Sequence, residues 1–148
     1  MRKAIIASEM RLPQFLKRFL SIGGNAVPQP TREQLVPDVT SLDVERIVER
    51  DFKYEFTTVM SLLNELKTEE RDSGTARVQL AALKLANGSV ERLRSKIESA
   101  KRDYRDVLAY AEYPEYIRNG FRVHELPADE QLRMIDNDWK QYNEWLRK

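Results

Sequence analysis

Metal or acid–base chemistry in this chain would have to start at its one histidine, His124, which Glu125 follows directly. A zinc or iron centre built on His124 would need its other ligands from distant carboxylates, and the paired Glu-x-x-His motifs of a di-iron bundle are absent. Asp129, Glu130, Asp136 and Asp138 are hard-cation ligands by type, but no twelve-residue calcium loop with its glycine surrounds them. Their expected work is charge at a helix start and solvation of its outer face. None of the serines sits in a nucleophile elbow, and one histidine cannot serve several of them as base. Gly23-Gly24 lacks the downstream residues of a phosphate loop. The expectation is no catalytic residue, no metal ligand and no cofactor.

Binding is better represented. Arg92, Arg94, Lys96, Lys101, Arg102 and Arg105 share one helical segment with Tyr104, Tyr110, Tyr113 and Tyr116 nearby. Cations beside aromatic rings can hold phosphates and stack bases. Glu98, Asp103 and Asp106 interleave with them, however, and a sequence pI near 7.9 is far from a strongly basic domain. At the other end, Trp139, Tyr142 and Trp145 follow helical spacing; Trp139 and Tyr142 fall on an apolar stripe, and Trp145, three residues further, falls on that face or at its edge. An exposed tryptophan there would anchor an interface. The candidate binding surface is thus Arg94, Lys101, Arg105, Tyr113 and Trp145.

These side chains must be positioned by helices. Val90, Leu93, Ile97, Ala100, Tyr104, Val107 and Ala111 alternate by three and four, which keeps one face of a 90–112 helix against a core. Before it, residues 76–86 are rich in Ala and Leu and read as an interior helix whose exposed polar residues are Arg77, Gln79 and Lys84. Asn87-Gly88-Ser89 is the hinge between the two, with Ser89 as N-cap. Upstream, one long helix is expected from Thr40 or Ser41 to Lys67. Phe52-Lys-Tyr-Glu-Phe56 inside it alternates with period two, but no Gly or Pro interrupts. Pro114 stops the 90–112 helix, Pro114 to Arg118 is a short turn, and 121–126 is a connector of extended character. Leu132, Ile135, Trp139, Tyr142 and Leu146 define a last helix over 127–148.

At the front of the chain, Pro13 opens a helix with Phe15, Leu16, Phe19 and Leu20 on one side, stopped by Gly23-Gly24. Prolines 28, 30 and 37 make residues 25–40 a strap. Residues 1–30 carry net +4 and residues 31–70 net −5, followed by +3 over 71–118 and −1 over 119–148. The basic front is expected to dock on the bundle; membrane-surface contact by this arm is the weaker reading.

The whole is expected to be all-α: a single domain, 1–148, of four or five helices, with an N-terminal arm (1–24), a Pro-rich strap (25–40) and the main bundle (41–148). A chain of this length buries roughly 68–70% of its unfolded surface without a staple. With no cysteine, disulfides and thiolate chemistry are excluded. No apolar run reaches membrane-span length, and Glu9 and Arg11 cut short the apolar run of a signal peptide. The expected location is cytoplasmic. The function expected from good helices and sparse chemistry is non-enzymatic: protein–protein contact or self-association. The alternative is a small-molecule or nucleic-acid binding module at the basic, Tyr-rich end of the 90–118 segment.

Overall fold

The structure, a computed structural model, describes residues 38–66 and 72–148. The expected Pro13 helix, the N-terminal arm and most of the strap lie outside these residues. The fold is all-α: the described residues contain no strand and form α1 (Ser41–Asp51), α2 (Phe56–Leu63), α3 (Asp72–Ala86), α4 (Val90–Glu112), α5 (Pro114–Asn119), a 3-10 helix (Gly120–Glu125) and α6 (Ala128–Arg147).

α1 starts where its cap predicts. Thr40 is extended, at φ −125° and ψ 172°, and its N–H donates to the Asp43 carboxylate at 2.9 Å, satisfying a donor the helix leaves free. The expected single helix to Lys67 is wrong, because α1 ends at Asp51 and α2 begins at Phe56. Phe52 closes α1 with its N–H on Val48 O (2.8 Å), and the Glu55 N–H folds back to Phe52 O (2.8 Å). No Gly or Pro is needed for this break: Phe-Lys-Tyr-Glu-Phe-Thr-Thr-Val is a run of aromatic and β-branched residues that lose side-chain freedom in a helix. Ending α1 there buries Phe52 while Val59, Leu62 and Leu63 of α2 reach the core.

α3 is the interior helix. Ala76, Val78, Leu80, Ala81, Ala82, Leu83 and Ala86 are all buried. It folds back onto α4 through the expected hinge, where Asn87 (φ 48°) and Gly88 (φ 76°) take the left-handed region and Ser89 Oγ accepts the Arg92 N–H at 3.3 Å. α1 packs across α3, and α6 packs on α4 and α5.

α4 is not one regular helix. Asp103 is extended in mid-course, at φ −154° and ψ 100°. Its carboxylate accepts the Arg105 backbone N–H at 3.0 Å, as an N-cap does, so a second helical segment restarts behind it. Leu93, Ile97 and Ala100 hold the expected face before the break and Val107 and Ala111 after it. Tyr104, next to the break, leaves the stripe and is 37% exposed.

The stretch from Pro114 also departs from expectation. Pro114–Asn119 is a helix, and 120–125 continues as a 3-10 helix with half-buried His124 rather than an extended connector. The extended reading fails because Gly120, at φ 53°, reverses the chain and Pro127 fixes the next helix start only two residues past the 3-10 segment. In α6, Met134, Ile135, Trp139, Tyr142 and Leu146 face the core.

Candidate functional site

Four places in the molecule concentrate polar chemistry or exposed apolar surface, and the first is internal. Arg77 was expected to be exposed on its helix. Instead Glu112 is fully buried, and Arg77 Nε and Nη2 donate to its two carboxylate oxygens at 2.6 and 2.5 Å. Burial works against the charged guanidinium, but the Glu112 hydrogen bonds and charge outweigh it and hold the Arg77 pKa above its ordinary value. Around this pair, Tyr113, Trp139 and Tyr142 form an edge-to-face chain with centroids 5.2 and 6.1 Å apart.

The hydroxyls of Tyr113, Tyr116 and Tyr142, the Trp139 Nε1 and the Gln131 Oε1 are buried without a hydrogen-bond partner among the described residues. Burial, reinforced by the Glu112 charge, pushes the Tyr113 and Tyr142 phenols well above the usual range. They therefore stay protonated at neutral pH and cannot act as bases. The cluster is a sealed polar knot that fixes the contact of α3, α4 and α6.

A second knot lies beside it. Asp138 was expected to be solvated, yet it is 1% exposed and accepts the N–H groups of Glu115 and Tyr116 at 2.9 and 3.0 Å, capping α5. Burial nonetheless raises its pKa, against those two amide bonds. Half-buried Lys84 is lowered by its own burial, with Asp138 opposing. Gln79, also expected to be exposed, donates to Leu63 O at 2.9 Å and ties α2 to α3.

The expected binding surface is only partly brought together. Lys101 reaches Glu65 at 2.6 Å and Glu98 at 2.8 Å, and Arg105 grips Asp103 through Nε at 2.8 Å and Nη2 at 2.6 Å. Glu98 thus pairs with Lys101 rather than with Arg94 or Arg102 as the helical spacing suggests. Arg94 is exposed and unpaired among the described residues. Tyr113 is not a surface residue at all: it is 2% exposed, because the chain turns into α5 there and carries the ring under Trp139. Trp145 is half-buried, 5.7 Å from Tyr142 with the Arg50 guanidinium 5.4 Å over its ring.

Two outward features remain. Leu42 and Tyr54 are 72% and 96% exposed, the first on the outer side of α1 with Glu45 and Glu49, the second in the turn between α1 and α2. Along α4 runs a cleft of about 420 Å³ between Leu85 of α3 and a helical stripe of Lys96, Ser99, Asp103, Asp106 and Tyr110. Among the described residues no three His, Asp or Glu side chains are grouped as a metal site requires, and no helix is long and apolar enough to cross a membrane.

The helical phase could have disclosed Asp138, since it occupies a stripe position three residues after Ile135 and four before Tyr142. Glu112 follows the apolar run Val107-Leu-Ala-Tyr-Ala111, in which all but Tyr110 are buried. No protein-family model, curated protein or solved structure matches the chain.

Proposed function

We propose that this chain is a non-catalytic helical protein that works by protein contact, and that its contact surface is the outer side of α1 with the turn that follows. The observation that carries this reading is the pair Leu42 and Tyr54, left 72% and 96% exposed while the rest of α1 and α2 spends its apolar residues on the core. Covering one such side chain is worth about 1.5–3 kcal/mol. Tyrosine is also among the residues that dominate interface energetics. Glu45, Glu49, Lys53 and Glu55, between and beside the two in the chain, are all exposed and charged, the composition of an interface rim.

A nucleic-acid surface on α4 has less in its favour. Lys101 and Arg105 are already engaged by carboxylates, and Tyr113 is in the core. Such cations offer fewer counterions to release on meeting a polyanion.

Site-specific photo-cross-linking in cells tests the proposal, with the photoreactive residue at position 54 and, as control, at exposed Lys140 on α6. A discrete adduct from position 54 alone is expected, its mass separating a second copy of the chain from a different protein. Absence of adduct, or equal yield from both positions, overturns it.

A further inference from the structure

The cleft along α4 is lined in part by Asp103, the residue at which the helix breaks. Its walls are Leu85, Val107 and Tyr110; Val107 is buried, Leu85 half-buried, and the Tyr110 ring is 57% exposed. Its volume of about 420 Å³ lies within the span of small-molecule sites, about 300–1,000 Å³. Two cations line it, Lys96 and Arg102, and neither has a carboxylate within ion-pairing distance among the described residues. They differ in this from Lys101 and Arg105 on the neighbouring face, which are both neutralised.

Of the two carboxylates in the cleft, Asp103 is occupied by Arg105, and the Arg105 hydrogen bonds hold its carboxyl below the ordinary range. Asp106 is left. Two free cations against one free carboxylate give the cleft a residual single positive charge. The Ser99 hydroxyl donates to Ser95 O at 3.0 Å, so towards a ligand its oxygen can only accept.

We propose that this cleft binds a small aromatic carboxylate that carries a ring N–H or O–H donor. The carboxylate meets Lys96 and Arg102, the ring lies against Tyr110, Leu85 and Val107, and the ring donor bonds to Ser99. One negative charge matches the residual positive charge; a dianionic phosphate monoester would set a second charge against Asp106. This site is separate from the α1 surface and stands or falls independently of it.

Indole-3-acetate is a suitable probe, having the carboxylate, the ring and one N–H donor. Titration into the full-length protein followed by amide NMR should give saturable shifts confined to residues near 85 and 96–110, with a dissociation constant of about 1 mM or below. Neutral indole-3-acetamide and dianionic adenosine 5′-monophosphate should each bind about tenfold more weakly. The surface variant Lys96→Ala/Arg102→Ala should lose about tenfold or more, the scale of a charge-assisted hydrogen bond. Arg133→Ala, on the exposed side of α6 and outside the cleft, should bind as the wild type does. Circular dichroism verifies that each variant keeps its fold. No saturable shift, equal affinity in wild type and double variant, or tighter binding of the monophosphate than of the carboxylate would overturn the proposal.

Discussion

Replacing Glu112 by Gln tests whether the internal ion pair is the fixed point that the geometry makes it. The substitution keeps shape and volume but removes the charge to which Arg77 donates twice, at 2.6 and 2.5 Å. Glu112 has no exposed surface and Arg77 only 19% of its side chain, so the stranded guanidinium cannot move into water without opening α3 from α4. Breaking a buried pair from one side costs about 3–5 kcal/mol, against about 0–1 for an exposed pair. The residual exposure of Arg77 places the expectation at about 3 kcal/mol. A domain of this size has about 5–15 kcal/mol in total, so the variant should remain folded but much weaker. With a urea slope near 2 kcal/mol per M, the midpoint should fall by about 1.5 M. Fluorescence is a suitable reporter because Trp139 sits in the same cluster, 5.2 Å from Tyr113, and far-UV circular dichroism checks that the transition is two-state. The double variant Arg77→Met/Glu112→Leu removes both charges and should recover to within about 1 kcal/mol of wild type, or exceed it. A loss below about 1 kcal/mol in Glu112→Gln, or a double variant as weak as the single one, would refute the reasoning.

Three further outcomes follow from the packing and the second knot. Ile97→Ala, at a site 1% exposed, should cost about 2–5 kcal/mol in urea unfolding while neighbouring Lys96→Ala costs well under about 1; equal losses would mean the α4 phase is wrong. Gly88→Ala should cost about 1–2 kcal/mol from the φ of 76° alone, because an added Cβ would meet Asp51 O at an ordinary 3.5 Å; an unchanged midpoint would contradict it. Burial raises the Asp138 carboxyl above its ordinary 3.8, so the folded state holds that proton more tightly than the unfolded one. This contribution is full below the ordinary value and is lost as pH rises through the raised one. The stability difference between wild type and Asp138→Asn should therefore shift against the wild type as pH rises from about 3 to about 7, and parallel profiles would exclude it.

Legibility in the sequence followed the strength of the periodic signal. The α3–α4 hinge, the interior character of α3 and the α6 stripe were readable because apolar spacing, Asn-Gly and a serine cap all agree there. The break between α1 and α2 was hidden because poor helix formers stop a helix less audibly than Gly or Pro. At Asp103 the carboxylate caps its own helix from within, which a list of charged residues cannot distinguish from solvation. The binding surface failed for the same reason: spacing does not reveal that Lys101 reaches across to Glu65, or that Tyr113 follows a chain reversal into the core. Arg77, Glu112 and Asp138 became interior because partners distant in sequence, or backbone amides, satisfy them.

The last turn of α6 leaves carbonyls that its own helix cannot satisfy, and two of them are taken by α1. Arg46 Nη2 donates to Leu146 O at 2.5 Å and Arg50 Nη1 to Trp145 O at 2.7 Å, across 100 and 95 residues of chain. During synthesis at about 5–20 residues per second, α1 leaves the ribosome on the order of 5–20 s before these acceptors exist. Throughout that interval both guanidinium groups lack their eventual acceptors, and the first described helix is held by α2 and α3 as they emerge. Until α6 emerges, α1 can be seated on α3 but not clasped by the Trp145 and Leu146 carbonyls, so this tie between α1 and α6 forms after the α1–α3 contact has become possible.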